Sequence, residues 1–245
     1  MTVEYDNEEF FQQYAQMERS KSGLAGAGEW HQLRPLFPPV EGLRVLDLGC
    51  GYGWHCRFAA EQGATQVLGI DLSQKMLDEA RRRNPGPQIT YRQCGIMEYE
   101  YPEDSWDLVV SNLALHYVED LEQVFQLVNR TLSAEGCFLL NIEHPTFTAG
   151  VGQQWVCSPE GKPLYWPVDG YFLPGERRTE FLGCEVVKYH HTLTQILNGL
   201  LQAGFTLAAV EEAQPPEELM SLPGMGDELR RPMMLLVKAQ KGKRG

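Results

Sequence analysis

Three glycines at alternate positions, Gly49, Gly51 and Gly53, come directly after an apolar run that begins at Val45. Glycine adopts backbone angles that other residues resist, and it lets a ligand approach the main chain closely. A helix-like stretch over 54–62 follows the glycines. A strand, a glycine loop and a helix in this order leave backbone N–H groups free to hold an anionic or polar ligand. The sequence therefore predicts a ligand-binding loop over 49–53.

The spacing of the glycines indicates which ligand this loop binds. In the dinucleotide fingerprint G-x-G-x-x-G, the third glycine permits close packing of helix on strand. Trp54 occupies that position here. Further along the chain, the apolar run that begins at Val67 ends in Asp71, and an acid at this place can accept hydrogen bonds from both ribose hydroxyls. We therefore expect a ligand with a nucleoside, and a nicotinamide-dependent oxidoreductase is the alternative.

Four motifs in this order resemble those of class I S-adenosylmethionine-dependent methyltransferases, most closely the small-molecule enzymes of the type 11 group. They are the glycine motif over 46–53, the ribose motif over 69–73, a fourth strand over 105–112 and the loop over 113–118. The resemblance implies transfer of a methyl group from S-adenosylmethionine to a small organic acceptor. It leaves open an oxygen, nitrogen or carbon nucleophile, and a non-catalytic cofactor-binding protein is a further alternative.

The resemblance also implies where the cofactor lies. The glycine loop contacts its methionine half, Asp47 lies near its α-ammonium and Asp71 binds its ribose. Tyr14 closes over the cofactor, and Arg19 reaches its carboxylate. The predicted cofactor-binding residues are Tyr14, Arg19, Asp47, Gly49, Cys50, Gly51, Asp71, Leu72, Met76, Gly95, Ile96, Asn112 and Leu113.

The adenine end departs from the usual family pattern. Gly95 stands where relatives usually have an acid that accepts a hydrogen bond from the adenine amino group. We therefore expect the backbone of Ile96 and apolar packing from Leu72 and Ile96 to hold the adenine. The amino group is then expected to face water.

His116 and His144 are the candidate catalytic residues. They follow the fourth and fifth predicted strands, at the edge where doubly wound sheets bind ligands. Histidine is the usual general base near neutral pH. A base is needed only when the nucleophile starts protonated, and otherwise the protein aligns the reactants and excludes water. The alternative for His116 is that it packs beneath the cofactor. His190 and His191 are weaker candidates.

Composition and charge limit the classes of partner. The chain has 245 residues and a formal net charge of −12, which disfavours binding to nucleic acid or to an anionic membrane. Its six cysteines include no C-x-x-C pair, so we expect reduced thiols and no metal site. The acidic N-terminus and the lack of a long apolar run predict a cytoplasmic protein. We expect a monomer or a homodimer.

Strands and helices alternate along the middle of the chain. The predicted strands are 43–48, 66–71, 88–93, 106–112, 137–143, 186–191, 205–211 and 233–239, and the predicted helices are 54–62, 74–83, 119–132 and 193–203. This alternation predicts an α/β fold with a Rossmann-like, doubly wound and mostly parallel sheet. The resemblance implies seven strands, with an antiparallel last strand.

We expect one methyltransferase domain over 1–245. Its predicted parts are an N-terminal helical lid (1–40), a cofactor-binding core (41–144), a substrate-binding insertion (145–190), and a C-terminal helix with edge strands (191–245). The first lid helix is predicted to begin with a capping box of Asp6 and Glu9. Residues 23–28 are predicted to act as a glycine-rich hinge. The aromatic residues of 147–172 are predicted to line the substrate pocket.

Overall fold

A computed structural model describes residues 6–242 of the protein, which include eleven strands. They are β1 Arg44–Leu48, β2 Gln66–Asp71, β3 Ile89–Gln93, β4 Trp106–Asn112, β5 Leu132–Glu143, β6 Val156–Cys157, β7 Pro163–Tyr165, β8 Gly175–Phe181, β9 Cys184–His190, β10 Phe205–Glu212 and β11 Met234–Lys241. Seven of them form one sheet in the order β10-β11-β5-β4-β1-β2-β3. β11 runs in the opposite direction to the other six strands of this sheet, so the predicted sheet is confirmed.

The helices connect these strands and cover both faces of the sheet. They are α1 Glu8–Gln16, α2 Glu18–Ser22, α3 Trp30–Leu33, α4 Trp54–Glu61, α5 Gln74–Arg83, α6 Leu121–Thr131, α7 Pro145–Thr148, α8 Leu193–Gln202 and α9 Met225–Glu228. Phe125 of α6 and Ile196 of α8 are buried in one hydrophobic cluster, and Ala59 of α4 and Leu77 of α5 in another. The parallel strands are therefore buried on both sides, as their continuous apolar character requires.

The parallel strands end together at one edge of the sheet. The register pairs Asp47 of β1 with Gly69 of β2 on one side and with Val110 of β4 on the other. The glycine loop after β1, Asp71 at the end of β2 and the turn after β4 therefore meet at this edge. Within residues 6–242, no helix is long and apolar enough to cross a membrane.

The first helix begins differently from the prediction. Asn7 is its N-cap, and its side chain accepts hydrogen bonds from the backbone N–H groups of Glu9 and Phe10. The predicted capping box of Asp6 and Glu9 is therefore wrong. Asp6 instead accepts a hydrogen bond from Ser73 Oγ at 2.5 Å, which joins the N-terminal segment to the start of α5. The first five residues of the predicted lid lie outside the described residues.

The glycine-rich stretch over 23–28 packs closely on its surroundings. Gly23 has a φ of +62°, and a Cβ atom there would lie 2.8 Å from the Trp54 ring. A Cβ atom at Gly26 would lie 2.5 Å from the backbone oxygen of Glu18. These two glycines let the N-terminal segment approach α4 and α2, and hinge motion at this stretch stays a prediction.

The insertion after β5 contains more regular structure than the sequence indicated. The predicted strand at 186–191 exists as β9, but it pairs with β8 in a separate hairpin. β8 reads GERRTEF, so its charged residues hide the apolar alternation that marks a strand. β5 also begins earlier than predicted, at Leu132. Leu132 pairs with Trp106 of β4, residues 133–136 form an irregular stretch, and the pairing with β4 resumes at Cys137.

Candidate active site

The glycine loop has the left-handed backbone that its sequence predicts. Gly49, Gly51 and Gly53 have φ values of +76°, +51° and +76°. The backbone N–H groups of Gly49 and Cys50 both donate to the Ile70 oxygen at 2.9 Å, which holds the loop against the end of β2. A side chain at Gly49 would collide with Ala114 Cβ. The loop is therefore fixed by its neighbours before any ligand binds.

Asp71 ends β2 and faces this loop. Its Oδ2 accepts a hydrogen bond from Gly51 N, and its Oδ1 accepts one from Ser73 N, both at 2.9 Å. Burial raises the pKa of Asp71, while the hydrogen bonds from Ser73 and Gly51 act in the opposite direction. Each carboxylate oxygen has two lone pairs. The carboxylate therefore keeps acceptor capacity for ribose hydroxyls.

Asp47 lies beneath the loop and is 1% exposed. Cys56 Sγ donates to its Oδ2 at 3.3 Å, and its Oδ1 has no hydrogen-bond partner among the described residues. Burial raises the pKa of Asp47 to about 7. A buried acid with an unpaired oxygen fits a nearby cation such as an α-ammonium, because the cation would stabilise the charged form.

Tyr14 approaches the loop from the N-terminal segment, and Arg19 of the same segment pairs with a buried glutamate. The Tyr14 hydroxyl lies 3.9 Å from the place that a Cβ atom of Gly51 would take. Arg19 forms an ion pair with Glu29 at 3.0 Å, and the Glu29 side chain is 1% exposed. The other Glu29 oxygen lies 3.4 Å from the amide nitrogens of Asn112 and Asn141. The sequence analysis did not single out Glu29, because no motif marks it.

Asn112 and Leu113 continue this edge at the end of β4. The Asn112 amide oxygen accepts a hydrogen bond from Asn141 Nδ2 at 2.8 Å. Leu113 has a φ of +55°, which a side-chain-bearing residue adopts only at a cost. The backbone N–H of Leu113 donates to the backbone oxygen of Asn141 at 2.8 Å, so β5 holds this strained turn in place.

An acid, Glu98, contacts Gly95, where the sequence predicts the adenine end of the cofactor site. Glu98 Oε2 accepts a hydrogen bond from Gly95 N at 3.0 Å. The same oxygen fills the space into which a side chain at Gly95 would extend. Ile96 packs against the hydrophobic core and Leu72 is exposed, while the buried Met76 donates its backbone N–H to Ser73 Oγ. Glu98 was missed because it lies three positions after the place where relatives carry their acid.

His116 is buried in the turn after β4, with 3% of its surface exposed. Its Nε2 lies 3.8 Å from Glu143 Oε1 at the end of β5. Its Nδ1 is buried and has no hydrogen-bond partner within residues 6–242. Burial lowers the pKa of His116 to about 4, so the ring is neutral at physiological pH. A neutral imidazole with a free nitrogen can accept a proton.

His144 differs from His116 because both of its ring nitrogens face protein groups. Nδ1 accepts a hydrogen bond from Thr146 N at 3.0 Å, which starts α7. Nε2 therefore carries the proton. It lies 3.1 Å from Glu212 Oε1 but has no hydrogen-bond partner within residues 6–242. Burial lowers the pKa of His144. With no ring lone pair free, its catalytic role stays a prediction that this arrangement does not favour.

The last two histidines hold backbone and side-chain groups of the insertion in place. His190 Nδ1 lies 2.6 Å from Thr148 Oγ1, and its Nε2 lies 2.8 Å from the backbone oxygen of Tyr171. His191 Nε2 lies 3.1 Å from the Val118 oxygen. These contacts give both residues a structural role.

The insertion encloses a cavity of about 320 Å³ beside these residues. Its lining residues are Thr148, Ala149, Gly150, Val151, Gly152, Gln153, Asp169, Gly170, Leu173, Arg177, Arg178 and Thr179. The aromatic residues predicted to line a pocket are elsewhere: Phe147 and Trp166 lie 4.9 Å and 4.5 Å from the Arg231 guanidinium. The described part of the chain holds no group of three or more His, Cys, Asp or Glu that could bind a metal.

The sheet order, the glycine loop and the acid at the end of β2 together define a class I methyltransferase fold and site. The family described as "Methyltransferase domain" matches residues 46–140. The crystal structure of an S-adenosylmethionine-dependent methyltransferase from Mesorhizobium loti is 45% identical and has a TM-score of 0.82. The match covers 89% of this chain and 100% of the Mesorhizobium loti chain.

Two further relatives agree with this match. A Listeria monocytogenes protein of known structure is 46% identical with a TM-score of 0.86, over 90% of this chain and 100% of its own. An uncharacterised methyltransferase of Synechocystis is 31% identical over 75% of this chain and 77% of its own. The chain belongs to the S-adenosylmethionine-dependent methyltransferases, and S-adenosylmethionine is its cofactor. A nicotinamide-dependent oxidoreductase is thereby set aside.

Proposed function

We propose that this methyltransferase acts on a small organic acceptor, which binds between the insertion and the strand ends of β4 and β5. The observation that carries the proposal is His116, a buried neutral imidazole whose Nδ1 has no protein partner among the described residues. Such a group is rare in a folded protein and calls for a functional explanation. Its place at the carboxyl edge of the sheet is where ligands of such folds bind.

The residues around the glycine loop fit the cofactor. We assign its ribose to Asp71, its α-ammonium to Asp47 and its carboxylate to Arg19. We assign its adenine to the Leu72, Ile96 and Gly95 segment. When bound, the cofactor supplies a methyl group on a sulfonium, which is a strong electrophile. The chain then aligns the acceptor and excludes water.

His116 is assigned the role of general base. Its Nδ1 accepts the proton that the acceptor loses as it is methylated. A base with a pKa near 4 is weak, but it is almost wholly in its acceptor form at neutral pH. Glu143 lies close enough to stabilise the imidazolium that forms.

Relatives with known acceptors support a small molecule. N-demethylindolmycin N-methyltransferase of Streptomyces griseus is 27% identical over 79% of each chain. Trans-aconitate 2-methyltransferase of Methylobacterium nodulans is 33% identical over 46% of this chain. These two proteins act on a nitrogen compound and on a carboxylic acid. The net charge of −12 supports the same class over nucleic acid.

Release of S-adenosylhomocysteine tests the proposal. The protein is incubated with S-adenosylmethionine and a panel of small amines, phenols, carboxylic acids and thiols. We expect turnover with at least one class, and a loss of about 10²- to 10⁴-fold in kcat for His116→Gln. His191→Gln is the matched control, since within residues 6–242 the hydrogen bond of that ring goes to a backbone oxygen, that of Val118. Cofactor binding without turnover on any acceptor would support a non-catalytic cofactor-binding protein instead.

A further inference from the structure

A buried ion pair lies directly behind His116. Lys188 Nζ of β9 is 2.5 Å from Glu143 Oε1 of β5, and the two side chains are 4% and 12% exposed. The Lys188 ammonium lies 5.9 Å and 5.3 Å from the ring centres of Phe147 and Phe181. Removing two charges from water is costly, and apolar residues would often stabilise a fold as well or better. The pair therefore calls for a functional reason.

Gln153 completes the surroundings of this pair. Its Oε1 accepts a hydrogen bond from Lys188 Nζ at 3.3 Å, and its Nε2 lies 3.5 Å from Glu143 Oε2. Gln153 has a φ of +49°, and Gly152 before it has a φ of +62°. A strained backbone at a residue with a side chain is typical of functional sites. Because Gln153 also lines the cavity of the insertion, it links that cavity to the ion pair.

The same carboxylate orients His116. Glu143 Oε1 lies 3.8 Å from His116 Nε2, so it favours the ring proton on Nε2. The lone pair is then on Nδ1, the nitrogen that has no partner in the described part of the chain. Glu143 from β5 and Lys188 from β9 are the charged groups that face the ring, and the Tyr117 ring lies beside it at 4.4 Å.

We propose that Glu143 and Lys188 are positioning residues for His116, and that the acceptor of this enzyme carries a hydrogen on the atom that is methylated. This inference rests on the proposed function and excludes acceptors that have no hydrogen on the methylated atom, such as carboxylates and tertiary amines. The acceptor proton moves to His116 Nδ1, and the acceptor's electron pair forms the bond to the methyl carbon. The electrons of the broken carbon–sulfur bond stay on sulfur. Water later takes the proton from the imidazolium.

Each member of the pair has its own part in this step. Glu143 stabilises the imidazolium, which makes proton transfer more favourable. Lys188 neutralises Glu143 while the ring is uncharged, so that the negative carboxylate does not make His116 take up a proton from water before the acceptor binds. Burial lowers the pKa of His116, Glu143 raises it, and Lys188 lowers it again. Removing Lys188 alone therefore leaves Glu143 unopposed.

Titration of the His116 imidazole by nitrogen NMR tests this role in the full chain saturated with S-adenosylhomocysteine. We expect Lys188→Met to raise the His116 pKa by about one unit or more, since an unopposed carboxylate favours the charged ring. Lys162→Met is the matched control, because Lys162 is an exposed lysine of the same insertion. An unchanged His116 pKa in Lys188→Met would overturn the proposal.

A second variant covers the case in which Lys188→Met does not fold. In Glu143→Gln/Lys188→Met both charges are absent, so no buried charge is left unpaired. We expect it to bind S-adenosylhomocysteine normally, to keep a low His116 pKa, and to lose at least about tenfold in kcat on the acceptor that the panel identifies. Wild-type kcat in this variant would contradict the positioning role. Failure of the wild-type protein to turn over would instead reject the proposed function.

Discussion

Asp71 Oδ2 accepts a hydrogen bond from Gly51 N at 2.9 Å, which joins the end of β2 to the middle of the glycine loop. The other oxygen of Asp71 accepts from Ser73 N, at the start of α5. One carboxylate therefore joins the glycine loop to the N-cap residue of α5, at the place to which we assign the ribose of the cofactor. Mutations at this place act on loop geometry as well as on cofactor contacts.

Substitution of the loop glycines separates folding from binding. Gly49→Ala should destabilise the protein, because its side chain would collide with Ala114. Gly51→Ala has space, and only its left-handed backbone costs about 1–2 kcal/mol. We expect Gly51→Ala to fold and Gly51→Val to lose binding of S-adenosylhomocysteine. Thermal unfolding and calorimetry measure the two effects. Normal binding by Gly51→Val would show that the loop is only a turn.

The N-terminal segment contains a core residue, Phe10, and a residue that we predict to close over the cofactor, Tyr14. Phe10 is fully buried and packs on Phe181 of the insertion at 5.8 Å between ring centres. We expect Phe10→Ala to destabilise the ligand-free protein by about 3–5 kcal/mol. Tyr14→Phe keeps the ring, so it should lower the ligand-free Tm far less than Phe10→Ala does and should weaken S-adenosylhomocysteine binding. If Tyr14→Phe binds normally, Tyr14 does not close over the cofactor.

Glu98 provides a test of adenine recognition. If its carboxylate accepts a hydrogen bond from the adenine amino group, wild-type protein should prefer S-adenosylhomocysteine to S-inosylhomocysteine, which lacks that group. We expect Glu98→Ala to reduce this preference by about 5- to 10-fold, the value of one modest hydrogen bond. Glu103→Ala is the matched control on the same exposed stretch. Equal preference in wild-type and Glu98→Ala protein would support the sequence-based expectation that the amino group faces water.

The pH dependence of stability tests the burial of His116. Its folded-state pKa is about 4 and its ordinary value is 6.5, so the unfolded chain binds the proton more tightly. The neutral ring therefore contributes stability above pH 6.5, and up to about 3 kcal/mol is lost as the pH falls to about 4. Asp47, with a raised pKa, has the opposite dependence between about pH 4 and 7.

The comparison of wild-type with His116→Gln protein isolates the histidine. We expect the free energy of unfolding of His116→Gln to fall less steeply between pH 6.5 and 4 than that of the wild type. Urea unfolding at several pH values measures the slopes. Equal slopes would show that His116 is protonated as easily in the folded protein as in the unfolded chain.

The sequence predicted the features that depend on neighbouring residues. The glycine loop was predictable because its backbone angles favour glycine. Asp71 was predictable because an apolar strand ends in an acid. The Lys188–Glu143 pair joins residues 45 positions apart, and the Glu29–Asn141 contact joins residues 112 positions apart. No periodicity or motif marks such pairs. They arise only when the insertion and the N-terminal segment fold onto the strand ends.

Isothermal calorimetry on the Asp71→Ala protein tests the central claim most directly. The wild type should bind S-adenosylmethionine and S-adenosylhomocysteine with one site per chain, and NAD should not bind. Asp71→Ala should weaken binding by about 1–3 kcal/mol, the loss of charge-assisted hydrogen bonds to two ribose hydroxyls. Asp78→Ala, at an exposed carboxylate of α5, is the control. Unchanged affinity of Asp71→Ala for S-adenosylhomocysteine would contradict the assignment of this site.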